Sequence, residues 1–134
     1  MCKQLLAFLT VFITLISCGK DEGKLPEIKF KIGGAYISRD TSIKCGTTIL
    51  MGIDASKSEE RDVLKKFNIT LSNNGGSEKS LLDKILTKSE EDKYSFDYNY
   101  TLDTANGQLN KFIFTIVNRD GIINQVSLTV NQFR

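Results

Sequence analysis

Few side chains in this sequence are equipped for chemistry. There are three cysteines, Cys2, Cys18 and Cys45, and no histidine. Without an imidazole there is no Ser-His-Asp or Cys-His nucleophile, and no His-ligated zinc or iron site. Carboxylates are plentiful but scattered. Asp54, Asp97, Asp103 and Asp120 would have to converge at loop ends to hold calcium, which takes about 6–8 oxygens, and no DxDxDG loop assembles them. They read as solvated turn and face residues, and Glu59-Glu60-Asp62 and Glu90-Glu91-Asp92 as solvated loops. Glycoside hydrolysis needs two carboxyls about 5–9 Å apart across a cleft, and no cleft-forming insertion is evident. No catalytic residue, metal site or cofactor fingerprint is assigned. Tyr94, Phe96, Tyr98 and Tyr100 could stack sugars, but Leu102 continues the same parity and the row reads as core. Tryptophan, the strongest sugar-stacking side chain, is absent.

Cys18 stands in a different context. Leu5 to Ile16 (LLAFLTVFITLI) is twelve residues of low polarity behind Lys3. A membrane-spanning helix needs about 20, so this run has the length of a signal-peptide core. The segment that follows, Leu15-Ile16-Ser17-Cys18, resembles the bacterial lipobox. That resemblance implies cleavage before Cys18 and attachment of diacylglycerol to its sulfur. Cys2 then leaves with the leader and Cys18 is capped, so Cys45 has no intrachain partner. It reads as a small buried hydrophobe. The expected boundaries are a signal peptide at 1–17, a lipidated tether at 18–26 and one domain at 27–134. With 18 basic and 16 acidic residues the chain has a net charge of +2, which gives no case for a nucleic-acid partner.

Beyond the tether the apolar period is two. Ile28, Phe30 and Ile32 alternate with lysines, and Gly33-Gly34 ends that strand. Ala35 to Ile37 is a short extended piece and Asp40-Thr41-Ser42 reads as a turn. Ile49, Met51, Ile53 and Ala55 share one face, as do Phe67, Ile69 and Leu71. Asn73 to Ser77 is a turn cluster. Tyr94 to Leu102 is a half-buried strand, Phe112 to Val117 a central one, and Val126 to Val130 the last, after a hairpin turn at Asn118 to Gly121. Two segments are ambiguous. Ser58 to Lys66 could hold a helical turn. Ser80 to Thr87 places Leu81, Leu82, Ile85 and Leu86 at helical spacing with a Ser80/Asp83 pair able to cap a helix, while the all-β surroundings favour an extended edge strand. Absence of βαβ alternation excludes a parallel α/β sheet. The expected fold is all-β, an immunoglobulin-like antiparallel sandwich of about seven strands.

Tyr36-Ile37-Ser38-Arg39-Asp40 ahead of Lys44-Cys45-Gly46-Thr47, then Met51 to Ala55, Phe112 to Ile116, Asp120-Gly121 and Val126 to Val130, together resemble small Bacteroidota surface lipoproteins with one immunoglobulin-like (PKD/cadherin-like) domain. The resemblance covers roughly residues 28–131. Lys20-Asp21-Glu22 is similar to the surface-export tag of that group, and Gly19 after the cysteine argues against inner-membrane retention. Asp103-Thr104-Ala105 matches its short O-glycosylation motif, making Thr104 a candidate site. Asn118 stands where related domains often have Asp, which weakens a cadherin-style calcium site. The resemblance implies a lipid-anchored outer-membrane protein facing the cell surface and no catalytic residues. The function expected is a non-catalytic binding or scaffolding module that meets another envelope protein, with the segment around Ser80 to Thr87 as its candidate edge. An accessory glycan-binding lipoprotein is the alternative.

Overall fold

The computed structural model describes residues 23–134. The expected signal peptide at 1–17, the lipobox-like segment and Cys18 lie outside the described residues. Eight strands follow in order: β1 (Glu27–Phe30), β2 (Thr41–Lys44), β3 (Thr48–Ser56), β4 (Leu64–Asn73), β5 (Glu78–Ile85), β6 (Lys93–Thr101), β7 (Leu109–Asn118) and β8 (Ile123–Phe133). They form a three-stranded sheet, β1-β3-β6, and a five-stranded sheet, β2-β8-β7-β4-β5. The first strand of the domain is divided between the sheets. β1 runs antiparallel to β3, and β2 runs parallel to β8. This is an immunoglobulin-like sandwich with eight strands and one parallel pair.

Alternation places the core. Ile49, Met51, Ile53 and Ala55 from β3 are buried, facing Phe67, Ile69 and Leu71 from β4, Phe112, Phe114 and Ile116 from β7, and Leu128 and Val130 from β8. On β7, Ile113 and Thr115 of the opposite parity are buried as well. That strand lies between β4 and β8, so flanking side chains cover its outer face.

Three segments differ from the sequence expectation. Thr41-Ser42 belongs to a strand rather than a turn, because Thr41 to Lys44 pairs with Val130 to Phe133. Ser58 to Val63 is an irregular connection with no helix, and β4 begins at Leu64. Ser80 to Ile85 is extended within β5. The helix-like spacing there comes from a bulge: Ile69 pairs Leu82 and Thr70 pairs Ser80, so Leu81 is the extra residue and two leucines become adjacent. The extended reading favoured for this segment holds, and a capping box occurs instead at Thr87/Glu90. The Thr87 amide and hydroxyl donate to the Glu90 carboxylate at 2.9 and 3.0 Å, opening the short 3-10 turn Lys88–Glu90.

The two ends of the sandwich are closed by buried polar groups. At the entry pole, Gly23 lies against Ile122 and Asp120. There the buried Asn118 donates from Nδ2 to the buried Asp62 at 2.7 Å, while its Oδ1 accepts from the amides of Asp120 and Ile122 at 3.1 and 2.8 Å. At the far pole, the buried Gln132 Nε2 donates to Asp103 Oδ1 and to the Asp103 and Ala105 carbonyls at 2.8, 3.0 and 3.2 Å. Its Oε1 accepts from the buried Asn110. Asn118 therefore has to be a carboxamide: its oxygen accepts from two backbone amides while its NH2 donates to a carboxylate. The Asn118→Asp variant should lose about 3–5 kcal/mol in urea denaturation at about pH 7, because two buried carboxylates then face each other. One of the pair then has its folded pKa raised, so the deficit should shrink as pH falls toward about 4 and a proton is taken up. A deficit equal at both pH values would show that the penalty is not electrostatic.

Candidate binding edge

A two-sheet sandwich has four edge strands, here β1 and β6 in one sheet and β2 and β5 in the other. Exposed edges template pairing with other chains, and proteins blunt them with short length, bulges or inward-turned charges. β1 and β2 are four residues each. β5 carries the bulge at Leu81. It also carries Lys84 opposite the buried Phe67, on the core side of the sheet. The Lys84 ammonium reaches Glu90 at 2.6 Å and lies 4.8 Å from the centroid of the Tyr94 ring. The segment expected as the edge is indeed an edge strand, but a guarded one.

β6 carries none of these guards. Its register with β3 is unbroken for nine residues, from Thr48 opposite Thr101 to Ser56 opposite Lys93. The bonds at the two ends of this ladder, Leu102 N to Thr47 O and Lys57 N to Asp92 O, fix its phase. Antiparallel pairs alternate, so Tyr94, Phe96, Tyr98 and Tyr100 exchange hydrogen bonds with β3. The amides and carbonyls of Lys93, Ser95, Asp97, Asn99 and Thr101 point away from it. In constant-type immunoglobulin sandwiches a fourth strand occupies the corresponding edge. Here β5 stays with β4 in the other sheet, and no described strand lies beside β6.

The inner face of β6 is the aromatic row. Tyr94 is buried and Phe96, Tyr98 and Tyr100 are half-buried. Successive ring centroids are 6.0, 6.5 and 6.5 Å apart. Phe67 lies 5.2 and 5.5 Å from Tyr94 and Phe96, and Phe112 meets Tyr100 edge-on at 5.0 Å. Burial pushes the phenols of Tyr94, Tyr98 and Tyr100 up from their ordinary pKa, and Asp103 adds to this at Tyr100. The row belongs to the core, as its parity predicted, but the open flank leaves three of the rings partly uncovered.

The outer face is tied to the chain that links the sheets. Lys31 Nζ and Tyr36 Oη both donate to Asp97 Oδ1, at 2.6 and 3.0 Å. The lysine bond holds the Asp97 carboxyl below its ordinary pKa, and Asp97 raises that of Lys31. The cluster closes over Gly52. A Cβ there would come within 2.6 Å of Tyr36 Cε1, 2.7 Å of Asp97 Oδ1 and 2.8 Å of Lys31 Cδ. Gly52 has the parity opposite to Met51 and Ile53, but its partners lie sixteen to forty-five residues away and carry no local signal.

The other predicted residues are dispersed. Asp54 and Asp97 are on adjacent strands of the three-stranded sheet, Asp103 is at the far pole and Asp120 at the entry pole. Among the described residues no three His, Cys, Asp or Glu side chains gather in a metal-binding group. Thr104 is exposed, on the loop that Gln132 pins through Asp103 and Ala105. That pinning, with the Ala105 amide, lowers the Asp103 carboxyl pKa. Cys45 is half-buried rather than buried, its sulfur 3.8 Å from Gln132 Nε2. It starts the tight turn into β3.

No family model matches the chain, and no curated protein matches its sequence. Similar solved structures include the sporulation control protein Spo0M of Bacillus subtilis, with a TM-score of 0.53 and 6% identity over 83% of this chain and 50% of that one. The chain thus spans half the length of that protein. The superoxide reductase (neelaredoxin) of Ignicoccus hospitalis has a TM-score of 0.50 and 9% identity over 81% of this chain and 80% of its own. A CARDB domain from Pyrococcus furiosus, solved with di-metal ions, scores 0.46 at 10% identity, over 81% and 90% of the two chains. At such identities a likeness concerns the fold alone.

Two measurements test the edges. Glu90 is lowered from 4.5 to about 2, first by the Lys84 hydrogen bond and then by the Thr87 amide. Its contribution to stability should be complete above about pH 4.5 and disappear as pH falls toward 2, because its folded pKa is the lower one. NMR titration of the Glu90 carboxyl should therefore give a midpoint near 2, and a midpoint near 4.5 would mean that Lys84 is not held there. Gly52→Ala should cost about 1–3 kcal/mol in urea denaturation. The same substitution should move the Asp97 carboxyl pKa back up toward its ordinary value, which loss of packing elsewhere would leave unchanged.

Proposed function

We propose that this chain is a lipid-anchored, non-catalytic binding module of the cell envelope, held by Cys18 at the outer-membrane surface, which takes up an extended strand of another envelope protein along β6. The observation that carries this reading is the unguarded edge of β6. Its outward amides and carbonyls supply main-chain hydrogen bonds, and side chains at alternate positions of the added strand supply specificity. The chemistry asked of the partner follows from the two faces. Its inward side chains are apolar, covering Phe96, Tyr98 and Tyr100, and its outward ones are polar, beside Ser95, Asp97 and Asn99. The lipobox-like Leu15-Ile16-Ser17-Cys18 supports the anchor and the Lys20-Asp21-Glu22 tag supports surface display. Glycan binding is the competing reading.

The test uses the whole protein on intact cells. A photoreactive residue at Ser95 should crosslink to one dominant envelope protein. Asn99→Pro should abolish that capture while leaving stability within about 1 kcal/mol of the parent, since proline is tolerated on a strand edge whose N–H faces outward. Capture that persists in Asn99→Pro, or that does not exceed a Cys18→Ala control, would overturn the reading. Glycan binding that survives Asn99→Pro would favour the competitor. Intact mass of the protein from cells should equal residues 18–134 plus acyl groups, with any further mass removed by Thr104→Ala marking O-glycosylation.

A further inference from the structure

Among the described residues the exposed large apolar side chains are Ile32 on the link between the sheets, Leu109 and Phe133 toward the far pole, and Leu25, Ile85 and Ile123 near the entry pole. Near the entry pole, one cross-strand row on the outer face of the five-stranded sheet reads Ile85, Lys66, Val117, Ile123, each paired to the next. Ile85 is 80% exposed and Ile123 53% exposed. Lys66 carries its stem across the row while its ammonium pairs with Asp83 at 3.0 Å. Leu25, 56% exposed, is fixed at the same pole, where Ser58 Oγ donates to its carbonyl. The next row, Asp83, Asn68, Thr115, Gln125, is polar throughout, so the apolar strip is bounded.

The chain enters the fold at this same pole. The apolar run Leu5 to Ile16 and then Cys18 precede Gly23 by seven and five residues. Five residues reach at most about 18 Å, and seven about 25 Å. A membrane attachment at either place keeps this pole within that distance of the bilayer. Gly23 itself lies against Ile122, beside the row. We infer that the strip Ile85-Val117-Ile123, with Leu25, rests in the headgroup boundary of the membrane that holds the chain. The sandwich is thereby seated with the Asp103–Gly107 loop and Arg134 facing away. This rests on the reading of the chain as membrane-anchored near its N-terminal side. With Lys24, the connections 57–63, 86–92 and 119–122 at this pole carry five basic and seven acidic residues, so seating depends on the apolar side chains rather than on anionic lipid.

The sequence has no tryptophan, so single substitutions report without background. Full-length protein carrying Ile85→Trp, Ile123→Trp or, at the far pole, Leu109→Trp would be purified from membranes and reconstituted in zwitterionic vesicles with brominated acyl chains. Leu109 is itself 46% exposed, so it controls for an apolar surface position. The expected result is strong quenching and a blue shift at positions 85 and 123, with Leu109→Trp unchanged from its value in solution. Equal quenching at all three positions, or at none, overturns the inference. Mass spectrometry of Cys18 reads the anchor separately. Should Cys18 prove unmodified, the same variants in a Cys2→Ser, Cys45→Ser background are coupled through Cys18 to a maleimide lipid. The quenching pattern then decides the seating, although the lipoprotein reading has failed.

Discussion

The two sheets of this protein are held together at the ring of Phe67. It lies within 5.2 to 6.3 Å of the rings of Tyr94, Phe96 and Phe114, and so joins β4 to β6 of the smaller sheet and to β7, the central strand of the larger one. Among the described residues the lone cysteine, Cys45, is free, so no disulfide joins the sheets there. Truncating a buried phenylalanine costs about 3–5 kcal/mol, a large part of the roughly 5–15 kcal/mol that separates folded from unfolded for a typical domain. The aromatic row on β6 is therefore bound to two tasks. Its rings must pack against Phe67 and Phe112, and they must do so from a strand with one open flank.

Polar groups at the poles settle what the rings leave open. A hydrophobic core does not specify which loop lies against which, but a buried amide does. Asn118 admits only an arrangement that brings Asp62 to it, and Gln132 only one that brings Asp103 and Ala105. Asn118, Asp62 and Gln132 are buried, so an arrangement that failed to satisfy them would leave unpaired donors or acceptors at about 1–3 kcal/mol each. Loop placement at both ends follows from satisfying a few carboxamides.

The sequence was informative where side-chain parity decides the answer. Ile49 to Ala55, Phe67 to Leu71 and Tyr94 to Leu102 alternate and face the core as read. It was misleading where one residue breaks parity: the bulge at Leu81 put two leucines side by side and imitated a helix. It was silent on short strands, since four residues of β2 carry too little pattern to distinguish a strand from a turn. Above all it could not show which strands are edges. Parity says which way a side chain points and nothing about the neighbour on either side, so the exposed backbone of β6 and the apolar row from Ile85 to Ile123 became legible only with the sheet order. The expectations at Thr104 and Cys18 are the opposite case, resting on local motifs that make no use of the fold.

The pairing of β1 with β3 has a mechanical consequence. β1 runs from the entry pole inward, and its pairs with β3, Glu27 with Ser56 through Phe30 with Ile53, lie side by side along the strand axis. A pull on the chain at Gly23, directed away from the body, drags β1 lengthwise along β3. All four pairs then carry the load together instead of opening one after another. Resistance to forced unfolding is a rate, set by the barrier to that first rupture. A domain attached through this strand is loaded in shear, the direction in which a short ladder is hardest to part.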